Sequence, residues 1–171
     1  YEIASCLVGS EMCIRDSDPT ETLGAQTMYK RILVPTDGSE RSVKAVEGAA
    51  RFARPLGATL VVMTVVEPYP YTNLAEYRPE SIEQYDERVT AEAEERLEAA
   101  RKIAVAAGVE VKTVMVKSFS PAEAIIEQAE KNGCDIIFMA SHGRKGIAAV
   151  LLGSETQKVL THSHFPVMVY R

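Results

Sequence analysis

The chain has 171 residues, of which 46% are hydrophobic and 25% charged, the composition of one globular domain with a sizeable core. No apolar run approaches the ~20 residues that a membrane-spanning helix needs. The net charge of -5 arises mostly in residues 1–27, so residues 28–171 are nearly neutral, which argues against nucleic acid as the main partner. Only Cys134 of the three cysteines lies beyond residue 27. This is no disulfide framework, and it predicts a reducing cytoplasmic location.

Residues 1–27 show neither helical nor strand periodicity over a useful length. The sequence does not begin with methionine, whereas Met28 immediately precedes the first convincing strand. The string SCLVGSEMCIRDS resembles translated sequencing-adapter read-through, and the segment lacks the features of a secretory signal or a transit peptide. We therefore predict a non-native or disordered leader over 1–27 and a single domain over 28–171. A regulatory tail that uses the two leading cysteines is the alternative.

From Met28 onward, short apolar runs alternate with segments of helical spacing. The predicted strands cover residues 30–35, 59–66, 109–117, 136–140 and 166–170. The predicted helices cover about 40–54, about 80–107, from 121 to Asn132–Gly133, and from 153 onward. Residues 67–79 hold three prolines and three tyrosines, which indicates a loop.

Two of the helix starts carry capping signals. Ser39 can cap the first helix. One face of this helix carries Val43, Val46, Ala50 and Ala53, and Pro55 and Gly57 are expected to end it. The segment Ser120–Glu123 has the pattern of a capping box with proline at the first helical position, so it predicts the start of the third helix.

Four strand–helix units and a closing strand predict an open five-stranded parallel sheet with right-handed crossovers and helices on both faces. In such sheets ligands bind beyond the carboxyl ends of the strands, where the strand order reverses. The order 3-2-1-4-5 places the first and fourth strands side by side at that reversal. The loops 35–38 and 140–143 are then expected to face each other across one crevice.

The stretch from the fourth strand to the last helix contains a glycine loop with Gly143 and Gly146, followed by Gly153 and Ser154 at the helix start. Glycines allow close approach to an anion, and the first helical N–H groups point at it. Ser154 can act as N-cap or donate its hydroxyl to a phosphate. An ordinary turn is the alternative to an anion site.

Asp37 directly follows the first strand, where its carboxylate can accept from a ribose hydroxyl or reach a phosphate-bound Mg²⁺. The alternative is an aspartate favoured by the dipole of the following helix. His142 has no nameable catalytic partner, which favours a phosphate or solvent contact over a general base. His162 and His164 lie near a helix end, and Cys134 is interpreted as a core residue.

Several enzyme classes are excluded by their missing motifs. The chain has no G-x-x-x-x-G-K-[ST] loop, no G-x-G-x-x-G in the first turn and no G-x-S-x-G elbow. The third strand ends Val116-Lys117-Ser118, so it offers no acceptor aspartate for a phosphorylation receiver. A His metal site lacks partners at ligand spacing.

Residues 28–171 resemble the universal stress protein family, through ILVPTDGSE after the first strand, the glycine loop and the terminal FPVMVYR. Members that bind ATP show G-x2-G-x9-G-[ST]. Here Gly143, Gly153 and Ser154 match that pattern, and Ala140 replaces its first glycine. The resemblance implies an adenine-nucleotide alpha-hydrolase-like, Rossmann-like α/β fold. If residue 140 needs a positive φ, alanine costs about 1 kcal/mol or more, and if φ is negative it costs little.

The resemblance also implies the residues of a nucleotide site. Pro35, Asp37 and Val65 would line the adenine and ribose pocket, and Met139 and Ala140 would lie near the sugar. The residues that would hold phosphates through backbone and hydroxyl groups are Gly143, Gly153, Ser154 and Glu155. The neighbouring residues that complete the set are Thr36, Ser141, His142, Arg144 and Gly146. Asp37 would contact a metal only through nucleotide-bound Mg²⁺.

The expected function is that of an ATP-binding regulatory protein of the stress response, with Mg²⁺ carried by the nucleotide and little or no turnover. The resemblance implies a homodimer through Phe165–Tyr170, an apolar edge strand that self-pairing across a two-fold axis would cover. A dimeric interaction module without nucleotide and a slow ATPase are the alternatives.

Overall fold

The computed structural model describes residues 28–70, 80–141 and 152–171. Its strands are β1 (Arg31–Pro35), β2 (Thr59–Val66), β3 (Val111–Lys117), β4 (Ile136–Ala140) and β5 (Val167–Tyr170). Its helices are α1 (Glu40–Leu56), α2 (Ile82–Ala106), α3 (Pro121–Lys131) and α4 (Ser154–His162). The leader and the glycine-loop residues His142, Gly143, Arg144 and Gly146 lie outside the described residues, so the predictions for them stay predictions.

The five strands form one parallel sheet in the order β3-β2-β1-β4-β5, which confirms the predicted fold class. β1 lies at the centre, with Leu33 in register with Val61 of β2 on one side and with Ile137 of β4 on the other. The strand order therefore reverses between β1 and β4. The carboxyl ends of these two strands lie next to each other.

Alternate residues of the central strands point into two separate core layers, as expected for a sheet covered on both faces. The layer beneath α1 and α2 contains Ile32, Val34, Leu60, Val62 and Phe138. The layer beneath α3 and α4 contains Leu33, Val61, Met63, Ile137 and Met139. α1 contributes mainly alanines to the first layer, which lets its backbone lie close to the sheet. In the described ranges, none of the helices combines the length and the apolar composition of a membrane span.

The first helix begins as predicted but ends later. The Ser39 side chain accepts from the Ser42 N–H, so Ser39 is the N-cap. Pro55 was expected to end the helix, but α1 continues through it to Leu56. The stop is Gly57, whose left-handed φ of 61° suits glycine and which donates its N–H to the Arg54 carbonyl.

The predicted capping box at Ser120–Glu123 is wrong, although α3 does begin at Pro121. Ser120 is the N-cap residue by position, but its side chain makes no capping hydrogen bond. The Ala122 N–H of α3 is instead occupied by the carboxylate of Glu155, from α4. A capping box does form at α2, where Ser81 and Gln84 each accept from the other's backbone N–H.

A row of aromatic rings connects α1 with the far edge of the sheet. Phe138 of β4 lies between Phe52 of α1, 6.1 Å away between ring centroids, and Tyr170 of β5, 5.7 Å away. The Tyr170 ring covers Gly48, where an added Cβ would lie 2.6 Å from the nearest ring carbon. Gly48 thus allows β5 to pack directly on α1.

Candidate site at the ends of β1 and β4

The sheet brings the loop after β1 and the loop after β4 to one edge. After Pro35 the chain remains tied to β2, because the Thr36 N–H donates to the Met63 carbonyl at 2.8 Å. After Ala140 the Ser141 N–H donates to the Tyr170 carbonyl of β5 at 2.9 Å. The two segments leave adjacent strands at the same edge, beside the strand-order reversal. That the two loops face each other across one crevice stays a prediction, because residues 142–143 lie outside the described ranges.

The loop after β1 is fixed by its own polar side chains. The Asp37 Oδ1 atom accepts from the Ser39 N–H at 3.0 Å, which holds the half-buried carboxylate against the turn before α1. Thr36 is buried. Its hydroxyl lies 3.1 Å from the Ser42 hydroxyl and accepts a hydrogen bond from the Gly38 N–H. Thr36 therefore shapes the loop from inside.

The N-terminus of α4 is held against the end of β4 by two hydrogen bonds. The Gly153 N–H donates to the Ser141 carbonyl at 2.8 Å. The buried hydroxyl of Thr156 donates to the Ala140 carbonyl at 3.0 Å. These contacts place a helix N-terminus, with its partial positive charge, at the reversal of the strand order.

The structure changes the roles expected for two of the motif residues. The N-cap of α4 is Gly153, so the predicted N-cap role of Ser154 is wrong. Ser154 is the first helical residue, and its side chain is exposed. The Gly153 N–H is already bonded to Ser141, and the first bond within the helix runs from the Gln157 N–H to the Gly153 carbonyl. The N–H groups with no acceptor inside the helix are therefore those of residues 154–156.

Ala140 is not strained. No non-glycine residue in the described ranges has a positive φ, so alanine meets no left-handed penalty at this position. Its side chain is 8% exposed and belongs to the core layer beneath α1. Alanine at this position therefore carries little backbone cost.

Val65 and Met139 lie in the layer beneath α3 and α4. Met63 is the β2 partner of Pro35, so Val65 lies further along β2 than the end of β1. Val65 is half-buried, and its expected place beside the adenine stays a prediction. Met139 is only 5% exposed, which makes it mainly a core residue that supports the edge from below.

Glu155 directs its carboxylate away from the first turn of α4. Its Oε2 accepts from the Ala122 N–H of α3 at 3.0 Å, and its Oε1 pairs with the Lys158 ammonium at 2.8 Å. Only its backbone N–H remains for an anion at the N-terminus of α4. Neither this contact nor that of Thr156 was predicted, because a Glu and a Thr in a first helical turn are ordinary helix residues in sequence.

The remaining reactive side chains lie away from the crevice. Burial raises the pKa of the Cys134 thiol to about 11, so it stays protonated at neutral pH and behaves as a core residue. His162, the last residue of α4, contacts the Lys158 carbonyl, and His164, two residues further on, lies 3.6 Å from Glu130. Both histidines are therefore at the opposite end of α4 from its N-terminus. The described ranges contain no group of three or more His, Cys, Asp or Glu residues able to hold a metal.

Together the fold and the site define an open parallel α/β domain with a helix N-terminus fixed at the strand-order reversal, the place where such domains bind anionic ligands. The profile of the universal stress protein family matches residues 28–171. The chain belongs to this family.

Several relatives match along most of their length. Universal stress protein MJ0531 of Methanocaldococcus jannaschii is 34% identical over 146 residues, covering 85% of this chain and 84% of the relative. The solved structure of MJ0577 from the same organism is 32% identical, with a TM-score of 0.70 over 83% of this chain and 95% of the other. A solved universal stress protein in complex with cAMP is 25% identical, with a TM-score of 0.61 over 84% of this chain and 97% of the other.

Proposed function

We propose that this chain binds an adenine nucleotide in the crevice between the ends of β1 and β4. The observation that carries the proposal is the attachment of α4 to β4, through Gly153 to Ser141 and Thr156 to Ala140. This attachment leaves the N–H groups of residues 154–156 and the exposed Ser154 hydroxyl available to phosphate oxygens. Phosphate binding at such a helix N-terminus uses both the unpaired donors and the helix dipole.

The family motif and one relative support an adenine nucleotide as the ligand. The relative in complex with cAMP carries an adenine and a phosphate on the same fold. The motif spacing in this chain favours ATP, with Gly143, Arg144 and Gly146 joining α4 around the phosphates. Asp37 would accept from the ribose or contact Mg²⁺ that accompanies the nucleotide, and Pro35 and Val65 would flank the base. The expected site also includes Thr36, Ser141 and His142 as neighbours.

We expect a regulatory role with little or no hydrolysis. Within the described residues, the Glu155 carboxylate is bound to α3, and His162 and His164 lie at the other end of α4, so none of them is placed to activate water at the phosphates. A slow ATPase is the alternative, and inorganic phosphate released above the level of a non-binding variant would establish it.

We also propose that the protein is a cytoplasmic homodimer that pairs through β5. In the described sheet β5 is an edge strand that pairs with β4, and its four residues are all half-buried in the single chain. An apolar edge strand of this kind invites pairing with another strand. Self-pairing about a two-fold axis would cover the segment Phe165–Tyr170 on both copies.

The nucleotide site is tested by isothermal titration with Mg-ATP on the chain beginning at Met28, comparing Gly153→Asp with Gly153→Asn. The backbone at Gly153 has φ -61° and ψ 150°, which both replacements adopt, and both are good N-cap residues. Only aspartate adds a negative charge beside the phosphates, so Gly153→Asn should bind and Gly153→Asp should lose binding by about tenfold or more.

An absence of heat for the unsubstituted chain at millimolar nucleotide would refute the proposal and leave the dimeric interaction module. Equal affinity of the two Gly153 variants would show that the phosphates do not lie at the N-terminus of α4.

A further inference from the structure

Glu155 connects the two helices that cover one face of the sheet. It lies in the first turn of α4, and its carboxylate reaches the backbone of α3, 33 positions away along the chain. The Oε2 atom accepts from the Ala122 N–H at 3.0 Å, while Lys158 neutralises the other oxygen at 2.8 Å. The side chain is 35% exposed, so this contact is partly shielded from water.

The N-terminus of α3 has a particular need for such an acceptor. Its N-cap Ser120 provides no side-chain hydrogen bond, and the next residue, Pro121, has no N–H. Ala122 therefore carries the first helical N–H that requires a partner, and the positive end of the α3 dipole favours a carboxylate there. Glu155 supplies the cap that the local sequence of α3 does not.

The same contact fixes the first turn of α4. Two hydrogen bonds attach this turn to the end of β4, through Ser141 and Ala140, and the Glu155 contact attaches it to α3. Without the third attachment the turn could pivot about the end of β4. A carboxylate left near the donors of residues 154–156 would also repel a phosphate, and binding to α3 and Lys158 keeps its charge engaged elsewhere.

We propose that Glu155 is a positioning residue that orients the N-terminus of α4 for the phosphates of the bound nucleotide. This role rests on the proposed function and makes Glu155 part of the phosphate site without any contact between its carboxylate and the ligand. It predicts a selective effect, because the phosphates depend on the orientation of α4, whereas the base is assigned to Pro35 and Val65 on the β1 and β2 side of the crevice.

The test compares Glu155→Ala with Glu155→Gln, whose amide oxygen can still accept from Ala122. Glu123→Ala is the control, since it removes a carboxylate from the first turn of α3 and leaves the Ala122 contact intact. Isothermal titration measures the affinity for ATP and for adenosine, which has no phosphate. We expect Glu155→Ala to bind ATP about fivefold to tenfold more weakly, with unchanged adenosine affinity and recovery in Glu155→Gln.

Hydrogen exchange at the Ala122 amide gives a second measurement that needs no ligand. It should accelerate in Glu155→Ala and not in Glu123→Ala. Unchanged ATP affinity in Glu155→Ala, or an equal loss for ATP and adenosine, would overturn the positioning role while the nucleotide site stands. A wild-type chain that binds neither ligand would overturn the proposed function, and the positioning role with it.

Discussion

The hydroxyl of Thr156 offers a sharp test of how α4 is anchored. Thr156 is 3% exposed and its hydroxyl donates to the Ala140 carbonyl at 3.0 Å, also in a buried position. Thr156→Val keeps the shape and the β-branch, and it leaves that carbonyl without this donor. Removing one partner of a buried hydrogen bond costs about 1–3 kcal/mol, so we expect the free energy of unfolding to fall by about that amount.

Thr161→Val is the matched control in the same helix. The Thr161 hydroxyl also donates to a backbone carbonyl, that of Gln157 at 2.8 Å, but Thr161 is exposed and water can replace the bond. Its substitution should change the free energy of unfolding by less than about 0.5 kcal/mol. Urea denaturation of both variants measures the difference. Equal stability of the two variants would refute the anchoring role of the Thr156 hydroxyl.

Four further substitutions test the packing, the titration and the proposed assembly. Gly48→Ala should destabilise the fold by about 1 kcal/mol, because displacement of the Tyr170 ring outweighs the gain in helix propensity. In a Tyr170→Ala background the same change should stabilise the fold, and a stabilising effect in both backgrounds would contradict the close packing. Burial raises the pKa of the Cys134 thiol from 9.0 to about 11, so the unfolded chain releases this proton first and the free energy of unfolding should decline between pH 9 and pH 11. Cys134→Ala should remove that part of the decline in pH-dependent denaturation. Val169→Lys should give a monomer by light scattering, and an unchanged dimer mass would place the interface elsewhere. Ala140→Gly should lower stability by about 1 kcal/mol in denaturation and leave ATP affinity within about twofold, whereas a large gain in affinity would show that the methyl group opposes the ligand.

The parallel sheet with helices on both faces could be predicted because it depends on short-range patterns, and the position of the strand-order reversal follows once the order 3-2-1-4-5 is chosen. The apolar runs of β1, β2 and β4 are too continuous for strands with a solvated face, and alternation with helices leaves few parallel topologies. The rule that ligands bind at the carboxyl ends of strands beside the reversal then makes Asp37 and Ser141 candidate site residues. These inferences needed no knowledge of side-chain contacts.

The contacts that fix the site could not be predicted, because their partners are distant in sequence. The Ser120–Glu123 pattern suggested a local capping box, yet the acceptor for α3 comes from Glu155. The spacing likewise placed Ser154 at the helix start but could not show that Gly153 is the N-cap, with its N–H already bonded to Ser141. Capping rules describe one helix at a time, and here two helices and a strand end share their unsatisfied backbone groups.

This sharing also explains why the chain accommodates alanine where ATP-binding members of the family have glycine. In this structure Ala140 and Ser141 contribute to the anchoring of α4 through their carbonyl groups, which accept from Thr156 and Gly153. Any residue with a negative φ presents the same carbonyl, and the Ala140 methyl points into the core layer beneath α1. The geometric demand at the end of β4 is therefore for backbone acceptors and a small buried side chain. Alanine meets that demand, so the departure from the motif leaves the N-terminus of α4 where a phosphate would need it.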